Sequence, residues 1–138
     1  MATTLEDVTT GIKTRLATIA GLRTNAVEPS SVNPPAAWPF LRQPAATYDQ
    51  TFDGAMTWFF SIYIIVATAS DQHAQTNLMP YLAPTGTKSI KAAIEAAPTL
   101  GGVADWAVVR SIESIGSYDI GGARYIGAVL VCEVATSD

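Results

Sequence analysis

Three side chains in one short stretch have the types that make up a nucleophilic relay. Ser70, Asp71 and His73 offer a hydroxyl, a carboxylate and an imidazole, the groups that attack, orient and transfer a proton in many hydrolases. On one helical turn they would point in different directions, and no G-x-S-x-G pattern surrounds Ser70. The sequence therefore favours Ser70 as the cap of a helix that begins at Asp71, with His73 facing solvent.

The segment Gly86–Ser89 contains the glycine and lysine of a phosphate-binding loop, which holds phosphates on backbone N–H groups at a helix start. In that motif the lysine directly follows the glycine, whereas here Thr87 separates Gly86 from Lys88. Tyr81 stands where the first glycine of the motif belongs. The segment is therefore predicted to be a turn, with Lys88 a solvated charge.

Cys132 lies in an apolar stretch, where a cysteine usually behaves as a small, inert hydrophobic residue. As the single cysteine it cannot form an internal disulfide, and no Cys/His cluster has zinc-like spacing. The acidic side chains of the turns and strands are predicted to form a solvated rim: they are Asp49, Asp53, Asp105, Glu113 and Asp119. The sequence thus predicts no enzymatic activity, no cofactor and no metal.

The composition favours burial against other subunits. The 138 residues are expected to form one domain, residues 1–138. Charged residues make up 14% of the chain, well below the roughly 25% of ordinary soluble domains. Apolar residues reach 49%, and contiguous exposed apolar surface marks partner contacts. We therefore expect an oligomer, although an Ala- and Thr-rich chain would also lower the charge harmlessly.

Charge and hydropathy argue against nucleic-acid and membrane binding. The net charge is −4, and the eight Lys and Arg residues are scattered rather than clustered. The longest apolar run, Trp58–Ala69, is shorter than the ~20 residues of a membrane helix and is rich in aromatic and β-branched residues. That run is predicted to be a buried strand.

The elements in the first half of the chain follow from periodicity and turn signals. Leu5, Val8, Ile12, Leu16 and Ile19 share one face of a helix; Thr3 with Glu6 suits a capping box at its start, and Gly21 suits its end. The prolines of Glu28–Pro39 predict an extended loop that contains Trp38.

Phe40–Asp49 and Ala55–Thr68 are predicted to be antiparallel strands joined at Asp53-Gly54. Both faces of the second strand are apolar, which places it in the centre of a sheet or at an interface. Its alternation assigns Met56, Trp58, Phe60, Ile62, Ile64 and Val66 to one face and Thr57, Phe59, Ser61, Tyr63 and Ile65 to the other.

The second half predicts two helices and two strands. Pro80 is expected to kink or stop the helix that begins at Asp71. The next helix has about three turns, is capped by Thr87 and ends at Ala97 before Pro98. In it, Ile90, Ala93, Ile94 and Ala97 form the apolar side, whereas Lys88, Lys91 and Glu95 lie opposite.

Strands at Ala104–Ser114 and Arg124–Thr136 are expected to flank a Gly-rich loop, Ile115–Ala123. The resulting order predicts an α+β fold, a mostly antiparallel twisted sheet of four to five strands with two to three helices packed on one face.

The stretch Pro80–Val109 resembles the second half of small tail-terminator and minor tail proteins of long-tailed bacteriophages and related gene-transfer particles. Their "Tyr-Leu, turn, Gly, Ser-Ile, Ala-Ala-Leu, Leu-Gly-Gly" pattern is matched by Tyr81, Leu82, Pro84, Gly86, Ser89, Ile90, Ala92, Ala93, Ile94, Leu100, Gly101 and Gly102. Gly121–Val134 is similar to their last strand. Ile94, where leucine is commoner, and the proline loop Glu28–Pro39 depart from the pattern.

The resemblance implies a structural protein of the virion, at the neck-proximal end of the tail and assembled in the host cytoplasm. Such a subunit forms a homo-oligomeric ring, a hexamer, that caps the tail tube protein, stops its polymerisation and presents a surface to the neck or head-completion protein. DNA would pass through the channel without specific binding. The alternatives are a head-completion (stopper) or other minor tail protein and, from another class, a small enzyme or ligand-binding domain.

Apolar residues on segments expected at the surface are the predicted interface positions. They are Trp38 and Phe40 in the proline loop, Tyr48 and Phe52 at the hairpin, and Tyr118 and Ile120 in the Gly-rich loop. Each of these side chains could instead fold back onto the core.

Overall fold

Five strands form one sheet in the order β1-β2-β3-β5-β4, in which β1 and β2 are parallel and every other pair is antiparallel. The computed structural model describes residues 5–19, 22–24, 35–48, 56–68, 74–120 and 122–136. The elements are α1 (Leu5–Leu16), β1 (Arg23–Thr24), β2 (Ala36–Tyr48), β3 (Met56–Thr68), α2 (Ala74–Leu82), α3 (Ile90–Glu95), β4 (Trp106–Ile120) and β5 (Ala123–Thr136). This arrangement confirms the predicted α+β fold.

Strand β3 lies in the middle of the sheet, between β2 and β5. Its alternating side chains point to opposite faces, as the period of a strand requires. Phe60, Ile62 and Ile64 are fully buried against the helices, whereas Tyr63 and Ile65 belong to a second cluster on the other face. The predicted central position of this strand is therefore confirmed.

The three described helices pack on one face of the sheet. Each contributes an apolar stripe to a single core, with Ile12 and Leu16 from α1, Leu78 from α2, and Ile90 and Ile94 from α3. Burying each such side chain contributes about 1.5–3 kcal/mol. The predicted apolar face of α1 is confirmed for Val8, Ile12 and Leu16, which are buried; Ile19 is buried as well but lies in the turn after the helix ends at Leu16.

Close approach between α1 and the turn after α3 explains a glycine inside a helix. A Cβ on Gly11 would lie 3.0 Å from the Cβ of Leu100 and 3.1 Å from its carbonyl oxygen. Leu100, Gly101 and Gly102, which form this turn, all have positive φ. Glycine lowers the helix propensity of α1, but a larger residue at position 11 would push α1 away from the turn that contains Leu100.

Strand β2 starts inside the segment that was predicted to be an irregular proline loop. Ala36 and Trp38 pair with Ile65 and Tyr63 of β3, so Trp38 lies on a strand and the loop prediction is wrong for residues 36–39. Pro39 is compatible with this position because β1 pairs with β2 at Ala36 and Ala37 alone. Beyond those residues a missing N–H removes no bond to β1.

Helix α3 is shorter than predicted and is capped by another residue. Ser89, not Thr87, is the N-cap, and its Oγ accepts a hydrogen bond from Ala92 N–H at 3.0 Å. The same hydroxyl donates to the carbonyl of Ala83 at 2.5 Å, a tertiary contact that sequence pattern cannot reveal. The helix ends at Glu95, before the predicted Ala97.

The last two strands form a longer hairpin than predicted. β4 continues to Ile120 and β5 starts at Ala123, so most of the predicted Gly-rich loop is strand. Arg124 and Asp119 form an exposed cross-strand pair at 3.2 Å next to the turn. Helix α2 likewise continues past Pro80 to Leu82, so Pro80 does not stop it.

Several predicted features lie outside the described residues. These are the Thr3 cap, Gly21, most of the proline loop, the Asp53-Gly54 turn, and the helix start with Ser70, Asp71 and His73.

Candidate interaction surface

The residues that could perform chemistry are not assembled into a catalytic arrangement within the described parts of the chain. Cys132 is fully buried, and burial with the nearby carboxylates of Glu133 and Glu95 raises its thiol pKa to about 12, so it stays protonated at neutral pH. Lys88 Nζ lies 5.9 Å from the ring centre of Tyr81, a cation–π contact. The described residues contain no group of three His, Cys, Asp or Glu side chains that could hold a metal.

A groove of about 410 Å³ runs between α1 and the turn after α3. Glu6, Asp7 and Arg15 line it together with Leu100 and Val103, and its lining includes no imidazole or thiol. The groove has charged groups of both signs at its rim but no nucleophile paired with a base. It gives no basis for a catalytic assignment.

The face of the sheet opposite the described helices carries an aromatic cluster, which we define as Trp38, Phe40, Tyr63 and Tyr118. Tyr63 is its centre. Its ring stacks on Trp38 with centroids 5.7 Å apart and an interplanar angle of 12°, and meets Phe40 edge-on at 6.5 Å and Tyr118 edge-on at 6.0 Å. These are the geometries that aromatic pairs prefer. Three strands, β2, β3 and β4, supply the four rings.

The aromatic cluster changes from buried to exposed across its width. Trp38 is 0% exposed and Phe40 is 50% exposed, while Tyr63 and Tyr118 are half-buried. The Trp38 Nε1–H group is buried without a hydrogen-bond acceptor in the described structure. Leaving a buried donor unsatisfied costs about 1–3 kcal/mol. The cluster is thus neither fully buried and hydrogen-bonded, as a core would be, nor fully solvated, as an ordinary surface would be.

The predicted interface residues divide into three groups. Phe40 is exposed and Tyr118 half-buried, both in the aromatic cluster. Trp38 and Ile120 lie on the same face but are buried within the chain itself. Phe52 and the side chain of Tyr48 lie outside the described residues. The structure corrects the segment assignment as well, because Trp38, Phe40, Tyr118 and Ile120 all lie on strands.

Sequence reasoning missed Tyr63 as the centre of the cluster. The alternation of β3 placed it on the face opposite Phe60, which is correct. That pattern identifies a face but not the neighbouring strands, so the contacts with β2 and β4 could not be predicted.

Strand β4, at an edge of the sheet, also carries exposed apolar side chains. Trp106, Ile112 and Ile115 are between 39% and 57% exposed. The pairing register with β5 shifts across Arg110 and again across Glu113, so each is an extra residue in β4. Such bulges twist an edge strand and are common where a sheet must not extend.

The helix face of β4 meets two charged residues of α3. Lys91 and Glu95 form an ion pair at 2.5 Å, Glu95 Oε2 accepts a hydrogen bond from Val109 N–H at 3.1 Å, and Lys91 Nζ donates one to Val109 C=O at 3.3 Å. The polar side of α3 therefore contacts the sheet edge as well as solvent, which the helical pattern did not indicate.

The same contacts lower the pKa of Glu95. Partial burial acts to raise it, but hydrogen bonds from Lys91 and Val109 and the positive charges of Lys91 and Arg110 outweigh this, so the pKa lies below its usual value. Glu95 is therefore ionised at neutral pH, which keeps it an acceptor for Val109.

Neither the comparison with protein-family models nor the search of curated proteins finds a match to this sequence. The helices of the described residues are too short or too polar to cross a membrane.

Proposed function

We propose that this chain is a structural virion protein, a tail terminator that forms a hexameric ring on the end of a phage-type tail tube. In this role it stops the polymerisation of the tube protein and offers its far side to a neck or head-completion protein. It makes and breaks no covalent bond and needs no cofactor. The sequence resemblance around Tyr81–Gly102 and the charge-poor composition support this proposal.

The main structural support for the proposal is the aromatic cluster on the face of the sheet opposite the described helices. Aromatic residues are enriched at the centres of protein interfaces, where they bury large areas at little cost in conformational entropy. Phe40 is half exposed at the edge of a cluster whose other members are already arranged around Tyr63. A neighbouring subunit that covers Phe40 would extend this packing without reorganising it.

A ring follows if each subunit presents its aromatic cluster to a different surface of the next subunit. Such head-to-tail contacts close when the rotation between subunits divides a circle evenly. The net charge of −4 suits a channel for DNA, because contacts between phosphates and Lys or Arg dominate nonspecific affinity for DNA. Growth of the tube would stop because the far side of the ring lacks the surface that recruits another tube subunit.

The assembly state of the purified protein tests the ring. We expect light scattering and negative-stain images to show rings of the wild-type protein, alone or with tube protein. The Phe40→Ser variant should remain folded and fail to form rings. Met79→Ser is the matched control, because Met79 is 65% exposed but lies on α2, on the helix-covered side. A strictly monomeric wild type at high concentration, with tube protein present, would refute the proposal.

The biological role is tested by particles that lack this protein. A terminator predicts tails of uncontrolled length that do not join heads. Tails of normal length that fail to join heads would identify a stopper instead, and normal, head-joined tails would exclude both roles.

A further inference from the structure

Val109, on the edge strand β4, has both of its backbone hydrogen-bonding groups occupied by side chains of α3. Its N–H donates to Glu95 Oε2 at 3.1 Å, and its C=O accepts from Lys91 Nζ at 3.3 Å. A residue of an additional strand would supply the same two partners, one acceptor and one donor. The Lys91–Glu95 pair therefore takes the place of a neighbouring strand at this position.

The two charged residues are poorly explained as a simple helix-stabilising pair. An exposed pair at this spacing contributes only about 0.3–0.5 kcal/mol to a helix. Helix α3 is already held by Ile90 and Ile94, which are fully buried in the core. The fold thus does not depend on the ion pair. What distinguishes this pair is that each of its side chains forms a hydrogen bond with the backbone of Val109.

The bulges next to Val109 also hinder the addition of a strand to β4. Extra residues at Arg110 and Glu113 interrupt the regular hydrogen-bonding register of β4 directly after the guarded position. Ile112 and Ile115, beyond them, are 43% and 57% exposed. A long edge strand with exposed isoleucines is prone to pair with another strand unless charge, bulges or a cover prevents it.

We propose that the Lys91–Glu95 pair is an edge guard, which prevents a second copy of this chain from adding a strand to β4 at Val109. A second copy is the relevant partner because an antiparallel edge is self-complementary: the same edge in two molecules can exchange hydrogen bonds about a two-fold axis. Pairing between the β4 edges of two molecules is different from the contact through the aromatic cluster in the proposed ring. The guard prevents the edge pairing and leaves the contact through the aromatic cluster unaffected.

The double variant Lys91→Ala/Glu95→Ala tests the guard. It leaves the net charge unchanged, and alanine keeps the helix propensity of α3. We expect the exchange of the Val109 amide hydrogen to accelerate by about tenfold or more. We also expect concentration-dependent, thioflavin-positive association beyond the oligomer that the wild type forms.

Three further variants separate the effect of covering the edge from the effect of removing charge. Asp119→Ala/Arg124→Ala also removes one positive and one negative charge, from an exposed cross-strand pair at 3.2 Å on the β4–β5 hairpin, and should behave as the wild type does. Glu95→Gln keeps a side-chain oxygen for Val109 N–H and should preserve slow exchange. If the double variant unfolds, Lys91→Met leaves the Val109 amide covered, frees only its carbonyl, and should associate to an intermediate degree.

Unchanged exchange at Val109 in a folded double variant would show that the pair does not cover the edge. Accelerated exchange without more association than the Asp119→Ala/Arg124→Ala control would show that the edge needs no guard. Both results overturn the inference. Neither depends on ring formation, since every variant is compared with the wild type in whatever oligomeric state that protein adopts.

Discussion

The two faces of the sheet are built from similar residues but are completed in different ways. On the helix-covered face, Phe60, Ile62 and Ile64 are fully buried beneath helices of the same chain. On the opposite face, the aromatic cluster extends from buried Trp38 to half-exposed Phe40 and includes an indole N–H with no acceptor in the described structure. The first face accounts for folding, whereas the second supports a role for contacts with other molecules.

Apolar content alone therefore does not identify a core. β3 contributes large apolar side chains to both faces, and the described helices pack on one of them. A large apolar group that remains exposed beside a packed cluster is a stronger indication of an interface than composition is. The comparison makes different predictions for adjacent residues of the same strand.

The largest effect is expected on the helix-covered face. Phe60→Ala should lower the free energy of unfolding by about 3–5 kcal/mol, because it removes a fully buried ring from the core. Phe59→Ala is the matched control. Phe59 directly precedes Phe60, points to the other face of the sheet and is only half-buried. Urea unfolding at concentrations where the protein is monomeric measures both. Equal losses of stability in the two variants would contradict the proposed difference between the two faces of the sheet.

A smaller effect is expected where the backbone of β3 approaches β5. β3 has an extra residue, Val66, opposite the step from Gly127 to Ile126. A Cβ on Gly127 would collide with the carbonyl oxygen of Ile64 and lie 2.7 Å from Ile65 Cδ1. Gly127→Ala should therefore lower stability by about 1–3 kcal/mol in the same assay.

Gly116 provides the control for this substitution because it pairs with Gly127 across the β4–β5 ladder. A Cβ on Gly116 would meet nothing within 4 Å. Gly116→Ala should be neutral or slightly stabilising, since it restricts the unfolded chain without strain. A loss as large as that of Gly127→Ala would mean that strand glycines in general, and not the close approach, cause the effect.

Much of the helix-covered face could be predicted from the sequence, because local periodicity determines it. The apolar stripe from Val8 to Leu16 and the alternation of β3 each depend on spacing within one element. The proline rule failed at Pro39 because it assumes a neighbour on both sides of the strand, while β1 covers only Ala36 and Ala37. Local chemistry also could not choose Ser89 over Thr87 as a cap, since both carry a hydroxyl; in the structure Ser89 is the cap and also donates to the carbonyl of Ala83.

The candidate site was predictable only in part. Phe40 was predicted at the surface and is exposed, and Tyr118 is half-buried, but the pairing of strands determines that Tyr63 joins them. The contacts of Lys91 and Glu95 with Val109 require α3 to lie beside β4, a relation between elements that no sequence period encodes.

The smallest effect is expected for the charge of Glu95, which contributes to stability by attaching α3 to the edge of the sheet. The pKa of Glu95 is lower in the folded protein than its ordinary value of 4.5. Its contribution to stability is therefore fully present above that value and is lost as the pH falls through the lower, folded-state pKa. We expect less than about 1 kcal/mol, because the two side chains remain 39% and 31% exposed.

Urea unfolding of the wild type and Glu95→Gln at pH 7 and pH 3 measures this contribution. The wild type should be slightly more stable at pH 7, and the difference should be smaller at pH 3, because the contribution is lost as the pH falls below 4.5 toward the lower, folded-state pKa. The same comparison in a Lys91→Met background should give a smaller difference at pH 7, because the lysine that lowers the pKa is absent. A difference independent of pH would show that apolar contacts alone attach α3, and the two faces would then differ purely in packing.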